Sequence, residues 1–107
     1  RIVALDGRTL VVSALRDDIR VWDSSGPAVH TLRSPVHRTE AVTAGFLDGE
    51  LVVVVADRLT VRVIGLDGAL RRDPIPIGGR ARSLDLAPAG VLTISTASVT
   101  HVIDLEI

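Results

Sequence analysis

Short apolar runs separated by turn residues follow one another along the whole chain. Residues 10–12, 51–55 and 91–94 are rich in β-branched side chains, and no stretch keeps the 3.6-residue period of a helix. Asp6-Gly7 and Asp48-Gly49 precede such runs, and these residues tolerate the positive φ of tight turns. The pattern predicts an all-β chain of short antiparallel strands.

The chain can also be overlaid on itself, because Val21, Val63 and Val102 occupy similar strands about 40 residues apart. The predicted strands are 1–5, 9–14, 18–23 and 28–33 in the first unit, 41–46, 51–56, 60–65 and 69–76 in the second, and 82–86, 91–96 and 100–106 in the third. A period of this length with four strands per unit is what a propeller blade requires.

These observations predict one domain, residues 1–107, that forms a partial β-propeller. Its four-stranded antiparallel blades cover about 1–35, 41–77 and 82–107, and the last blade lacks its outer strand. A blade packs between two neighbours, which explains why residues 51–55 are apolar without alternation.

Residues 13–23, which end in Val21-Trp22-Asp23, resemble the end of a WD repeat, and residues 42–49 resemble the first strand of the next repeat. The resemblance is to the WD-repeat β-propeller family. In that family a serine, the aspartate of the short turn and a tryptophan belong to a hydrogen-bonded network, and Ser13, Asp17 and Trp22 match these positions. The second copy departs from the pattern, with Ile64 in place of the tryptophan.

Three blades are too few for a ring, because closed propellers have about four to eight. We expect the chain to be the C-terminal part of a larger propeller, and assembly of two copies of the chain is the alternative. In either case, apolar residues of the two end sheets should face water in the separate chain.

Composition narrows the classes of partner. The formal net charge is −1 and aromatic residues make up 2% of the chain, which disfavours nucleic acid as a partner. The chain has no cysteine, which excludes disulfides and favours a reducing, cytoplasmic compartment. No apolar run approaches the roughly 18 residues of a membrane-spanning helix. We therefore expect protein partners, no nucleic acid and no membrane.

Patterns typical of catalysis or metal binding are missing from the sequence. It contains no Gly-x-Ser-x-Gly elbow, and His30, His37 and His101 lack a close ligand spacing such as His-x-x-x-His. Gly78-Gly79 lacks the Gly-Lys-Ser/Thr signature of a phosphate loop. We expect no enzyme activity, no metal and no cofactor.

Charged residues collect in short turns and in two basic clusters. Asp17-Asp18 and Asp57-Arg58 suit either a backbone-bonded turn or contact with a partner, and the turn is the interpretation we favour. Arg71-Arg72 and residues 80–82 suit either a solvated strand, neutralised by nearby aspartates such as Asp73, or an anion site. We favour the solvated strand.

The resemblance to WD-repeat proteins implies a non-catalytic protein-interaction scaffold or sensor module. The alternative is a regulatory appendage of a larger multidomain enzyme such as an NTPase, kinase or protease. Loops of successive blades gather on one rim, and the residues expected to bind a partner there are Arg16, Asp17, His37, Asp57, Arg58 and Arg80.

Overall fold

The computed structural model describes residues 2–5, 8–15, 18–23, 29–34 and 39–106. These residues form strands and no helix. The strands are β1 (Ile2–Leu5), β2 (Arg8–Leu15), β3 (Asp18–Asp23), β4 (Val29–Arg33), β5 (Ala41–Leu47), β6 (Glu50–Ala56), β7 (Thr60–Gly65), β8 (Ile75–Pro76), β9 (Ser83–Leu86), β10 (Val91–Ser95) and β11 (Thr100–Asp104). Nothing in this part of the chain has the helical length and apolarity that a membrane crossing needs.

Three antiparallel sheets are built from strands that are consecutive in the chain. The first has the order β1-β2-β3-β4, the second β5-β6-β7-β8 and the third β9-β10-β11. The all-β prediction is confirmed, and ten of the strands lie within two residues of their predicted bounds.

The fourth strand of the second sheet is much shorter than the predicted 69–76. Only Ile75–Pro76 pairs with β7, and Leu70 adds an isolated bridge to Ile64. Pro74 and Pro76 have no N–H to donate to a ladder, and the chain between the two pairings makes bends. The prediction of a continuous strand here was wrong.

The second sheet lies between the other two, with both faces covered. Val52 and Val54 of β6 belong to a core shared with the third sheet, and Val53 and Val55 belong to a core shared with the first. All four side chains are fully buried. Successive residues of β6 therefore face two different cores. This agrees with the prediction, made from the unbroken apolar run 51–55, that both faces of the strand are covered.

The first strands of the three sheets lie side by side, because β5 contacts both β1 and β9. Gly45 of β5 makes this approach possible. A β-carbon at that position would lie 3.0 Å from Cδ2 of Leu86 in β9, closer than ordinary van der Waals contact.

The second and third strands pair in corresponding register in all three sheets. The matching cross-strand pairs are Val12 with Val21, Val54 with Val63, and Thr93 with Val102. Val21 and Val63 are 0% and 1% exposed, whereas Val102 is 67% exposed. Val102 therefore lies on the outward face of the third sheet, as an apolar residue facing water.

The rest of that outward face is more polar than expected. Val102 stands opposite Thr93, which stands opposite Asp85, and Ser95 follows Thr93 on the same face. On the outward face of the first sheet, Trp22 is partly exposed beside polar neighbours. The expectation of an apolar end face is therefore wrong for the third sheet, where hydroxyl and carboxylate side chains occupy most of the outward strand positions. It holds in part for the first sheet, because Trp22 is partly exposed and its cross-strand partners are Val11 and Val29.

Candidate functional site

Loops of the second and third sheets meet at one edge of the molecule. The turn at 57–59 joins β6 to β7, the loop at 77–82 joins β8 to β9, and the turn at 96–99 joins β10 to β11. The middle loop is tied to both neighbours, because Ile77 N donates to Leu59 O at 2.8 Å and Arg82 N donates to Ser95 O at 2.6 Å. These backbone bonds fix the three loops relative to each other.

Between these loops lies an open groove made of two adjoining clefts. The larger, of about 610 Å³, is lined by Glu40, Gly78, Gly79, Arg80, Ala81, Arg82, Thr96, Ala97 and Ser98. The smaller, of about 380 Å³, is lined by Arg58, Leu59, Gly79 and Arg80. Gly79 and Arg80 belong to both clefts, so we treat them as one surface, the rim groove.

Three arginines give the rim groove its positive charge. Arg80 Nε lies 3.8 Å from Glu40 Oε1, and the Arg80 side chain is 57% exposed. Arg58 and Arg82 are exposed and have neither a hydrogen bond through the guanidinium nor an ion pair with any described residue. A long, solvated ion pair such as that of Arg80 is weak, so all three guanidinium groups are available to a ligand.

Asp57 lies in the same turn as Arg58, but its carboxylate is used within the turn. Oδ1 accepts from Leu59 N at 2.8 Å and from Thr60 N at 2.7 Å, and Oδ2 lies 3.5 Å from Arg62 Nη1. Partial burial raises the pKa of Asp57, but the Leu59 and Thr60 donors and the Arg62 charge outweigh it and leave the pKa lowered. This is the backbone-bonded turn that the sequence favoured.

The predicted binding residues are thus brought together only in part. Arg58 and Arg80 share the rim groove, whereas Asp57 is engaged in its own turn. Arg16, Asp17 and His37 lie outside the described residues.

Two charged residues of the rim groove were missed as site residues, namely Glu40 and Arg82. Arg82 was recognised only as part of a basic cluster. Its place beside Arg80 could have been inferred from the predicted strand bounds, because they leave residues 77–81 as a loop between the second and third units.

The predicted structural network falls at a different place. Ser13 and Trp22 lie on the outward face of the first sheet and, with Asp18 and Arg20, line a small cleft of about 120 Å³. Asp17, the third member of the network, is outside the described residues.

The second basic cluster, Arg71-Arg72, is neutralised at the opposite edge of the sheets. Arg71 donates to both carboxylate oxygens of Glu50 at 2.8 and 2.9 Å and lies 3.1 Å from Asp67 Oδ1. Arg72 donates to Leu105 O at 2.9 Å and to Asp48 Oδ2 at 3.2 Å. The cluster is therefore neutralised, as expected, but it lies in bends and not in the solvated strand that we favoured. Asp67 is near Arg71 in sequence, whereas Glu50 and Asp48 are distant.

The pKa values at that edge follow from the same contacts. The Arg71 hydrogen bonds lower the pKa of Glu50, and the Glu50 and Asp67 carboxylates raise the pKa of Arg71. Glu50 and Arg71 therefore both stay charged at neutral pH.

Candidate metal ligands in the described part of the chain do not form a cluster. Among the described residues, no three or more His, Asp or Glu side chains are grouped so that they could hold a metal ion.

No family model, curated protein or solved structure matches the chain. The WD-repeat resemblance of residues 13–23 therefore stays a prediction. The rim groove is the feature from which a function can be derived.

Proposed function

We propose that this chain is a non-catalytic protein-interaction module that belongs to a β-propeller of the WD-repeat kind and binds a protein partner at the rim groove. The observation that carries the proposal is the groove itself. One loop and two turns from neighbouring sheets, tied together by backbone hydrogen bonds, present Arg58, Arg80 and Arg82 to solvent.

The packing of the sheets supports the propeller part of the proposal. A propeller needs sheets covered on both faces, with their first strands side by side and their loops gathered at one edge. The second sheet is covered on both faces, and β5 lies between β1 and β9. In this proposal a further sheet, from a longer chain or a second copy, covers Val102.

The shape and composition of the groove support a binding role. Its floor contains Gly78 and Gly79, where a β-carbon would meet nothing within 4 Å, so the backbone of a partner can approach closely. Leu59, at one end, is 72% exposed. Arginine is enriched at protein interfaces and among the residues that contribute most of their binding energy.

The test of binding uses purified partners and two matched double variants. Proteins retained from an extract of the producing cells are identified, purified and titrated against the protein by calorimetry. We expect at least one whose affinity falls tenfold or more in Arg58→Ala/Arg80→Ala and is unchanged in Arg20→Ala/Arg33→Ala, which removes two exposed arginines of the first sheet. If no purified protein distinguishes the two variants, the interaction role is wrong.

The propeller part has a separate test, which is helped by the absence of cysteine from residues 1–107. The thiol of Val102→Cys is alkylated in the native full-length protein and compared with that of Val99→Cys, in the β10–β11 turn. We expect slow labelling at position 102 and fast labelling at position 99, with equal rates in urea. Equal rates in the native protein would show that no further sheet covers this face.

A further inference from the structure

We infer that the rim groove takes an extended, acidic segment of a protein partner, and that Glu40 is a built-in competitor for that segment. The inference rests on the proposed function and names the chemistry of the partner. It starts from the charge of the groove. Its lining residues include three arginines and one carboxylate, in a chain whose net charge is −1.

The groove arginines differ in this respect from the other arginines of the second sheet and its loops. There each arginine has a close carboxylate: Arg62 has Asp57 at 3.5 Å, Arg71 has Glu50 at 2.8 Å and Arg72 has Asp48 at 3.2 Å. Arg58 and Arg82 have no such partner among the described residues. The groove is therefore a local concentration of positive charge that this part of the fold leaves uncompensated.

Guanidinium groups favour carboxylates as ligands, because their donors match the two oxygens in a planar fork. The groove is open and runs from Arg58 past Arg80 to Arg82 along two loops. An extended chain with several acidic side chains can engage all three, whereas a small ion would reach fewer. Exposed Leu59 adds a place for one apolar side chain of the same segment.

A nucleic acid would be attracted by the same charge but is less well matched. Its bases need aromatic side chains on which to stack, and none of the lining residues is aromatic. We therefore assign the groove to an acidic peptide segment, and nucleic acid becomes an outcome of the test.

Glu40 occupies the position that a ligand carboxylate would take beside Arg80. Its backbone N donates to Ala56 O at 2.7 Å, which fixes the residue at the groove wall, and its Oε1 is 3.8 Å from Arg80 Nε. A bound acidic segment must compete with this carboxylate and is repelled by it. Removing the charge of Glu40 should therefore strengthen binding, the opposite of what loss of a ligand-binding residue would do.

The experiment measures fluorescence anisotropy of labelled peptides with the full-length protein. The probe alternates glutamate with leucine, and the control peptide has glutamine in place of glutamate. We expect the acidic peptide to bind and the neutral peptide to fail. Binding should weaken strongly between about 0.05 and 0.5 M salt, because exposed charges are screened over this range.

Variants separate the roles of the groove residues. Arg58→Gln/Arg80→Gln/Arg82→Gln should weaken binding of the acidic peptide tenfold or more, and Glu40→Gln should strengthen it about two- to fivefold, the range for one exposed ion pair. Arg20→Gln/Arg33→Gln should leave it unchanged. Circular dichroism and the urea midpoint confirm that each variant is folded.

Three outcomes would overturn the inference: equal binding of the neutral peptide, no gain with Glu40→Gln, or tighter binding of a single-stranded oligonucleotide than of the acidic peptide. Each leaves the interaction role standing if a purified protein still depends on Arg58 and Arg80. Conversely, the acidic peptide could bind as expected while no protein partner depends on the groove. That result would refute the proposed function and leave this inference standing.

Discussion

Alanine substitution in the central strand tests whether the second sheet is buried on both faces. Val54 faces the core shared with the third sheet, Val55 faces the core shared with the first, and both are fully buried. Each Val→Ala change removes two buried carbon groups at about 0.8 kcal/mol each, and the residual cavity adds to this loss. We expect each variant to lower the free energy of unfolding by about 2–3 kcal/mol.

The matched control is Val102→Ala, which loses the same atoms and the same strand preference from an exposed position. In the separate chain it should change the free energy of unfolding by less than about 1 kcal/mol. The measurement is urea unfolding, with an unchanged slope so that midpoints can be compared. If either Val54→Ala or Val55→Ala costs no more than the control, one face of the second sheet is open and the three-layer packing is refuted.

Two further predictions concern turns. Asp57→Ala should cost roughly 1 kcal/mol through loss of the bonds to Leu59 and Thr60, and Asp57→Asn, which keeps the acceptor, should cost less, both by urea unfolding. The pKa of Asp57 is lower in the folded protein than in the unfolded chain. Its carboxylate therefore stabilises the fold above the unfolded pKa, near 3.9, and this stabilisation is lost as pH falls through the folded pKa. Asp57→Asn should therefore lose less stability in acid than the unsubstituted protein. Gly90 has φ +84°, and a β-carbon added there would overlap the Glu106 side chain. Gly90→Ala should therefore lower the free energy of unfolding by about 1–3 kcal/mol, whereas Gly78→Ala should change it little. Equal effects of the two substitutions would contradict this account.

Strand positions could be predicted from the sequence because the signals for them are local. The β-branched run of β6 and the Asp48-Gly49 turn before it lie within ten residues of each other, and both appear as expected. The continuous apolar character of β6 also indicated burial on both faces. The segment 69–76 failed because its prolines interrupt a pairing that its hydrophobic pattern suggested.

Ion pairs were harder to predict, since they depend on which loops meet in space. Arg72 is followed by Asp73 in the sequence, yet its partners are Asp48 and the carbonyl of Leu105, which come from the second sheet and from just after the last strand of the third. No local pattern indicates that meeting. Sequence proximity therefore suggested the correct outcome for Arg72, neutralisation, but with the wrong aspartate.

The candidate site also combines residues that local sequence patterns predict with residues that they do not predict. Arg58 and Arg80 were predicted from their loops alone, because the topology of antiparallel units places alternate turns at the same edge. The same reasoning predicted Asp57 as a binding residue. An aspartate at the start of a turn, however, commonly accepts a hydrogen bond from the backbone N–H two residues later, and Asp57 does so. The pairing of Glu40 with Arg80 needed the structure, because it joins the segment before β5 to the loop before β9.

The outward face of the third sheet bears on how a propeller could continue there. At corresponding register positions, Val54 faces a buried core while Thr93 faces outward beside Asp85 and the exposed Val102. A sheet that covers Val102 must also cover a hydroxyl and a carboxylate, and removing these polar groups from water costs free energy. That junction should therefore be more polar than the two inside the described stack, closer to a protein–protein interface than to a domain core. On this reasoning, if sheets of the assembled protein separate, they should do so at Val102 before they separate at Val54 or Val55.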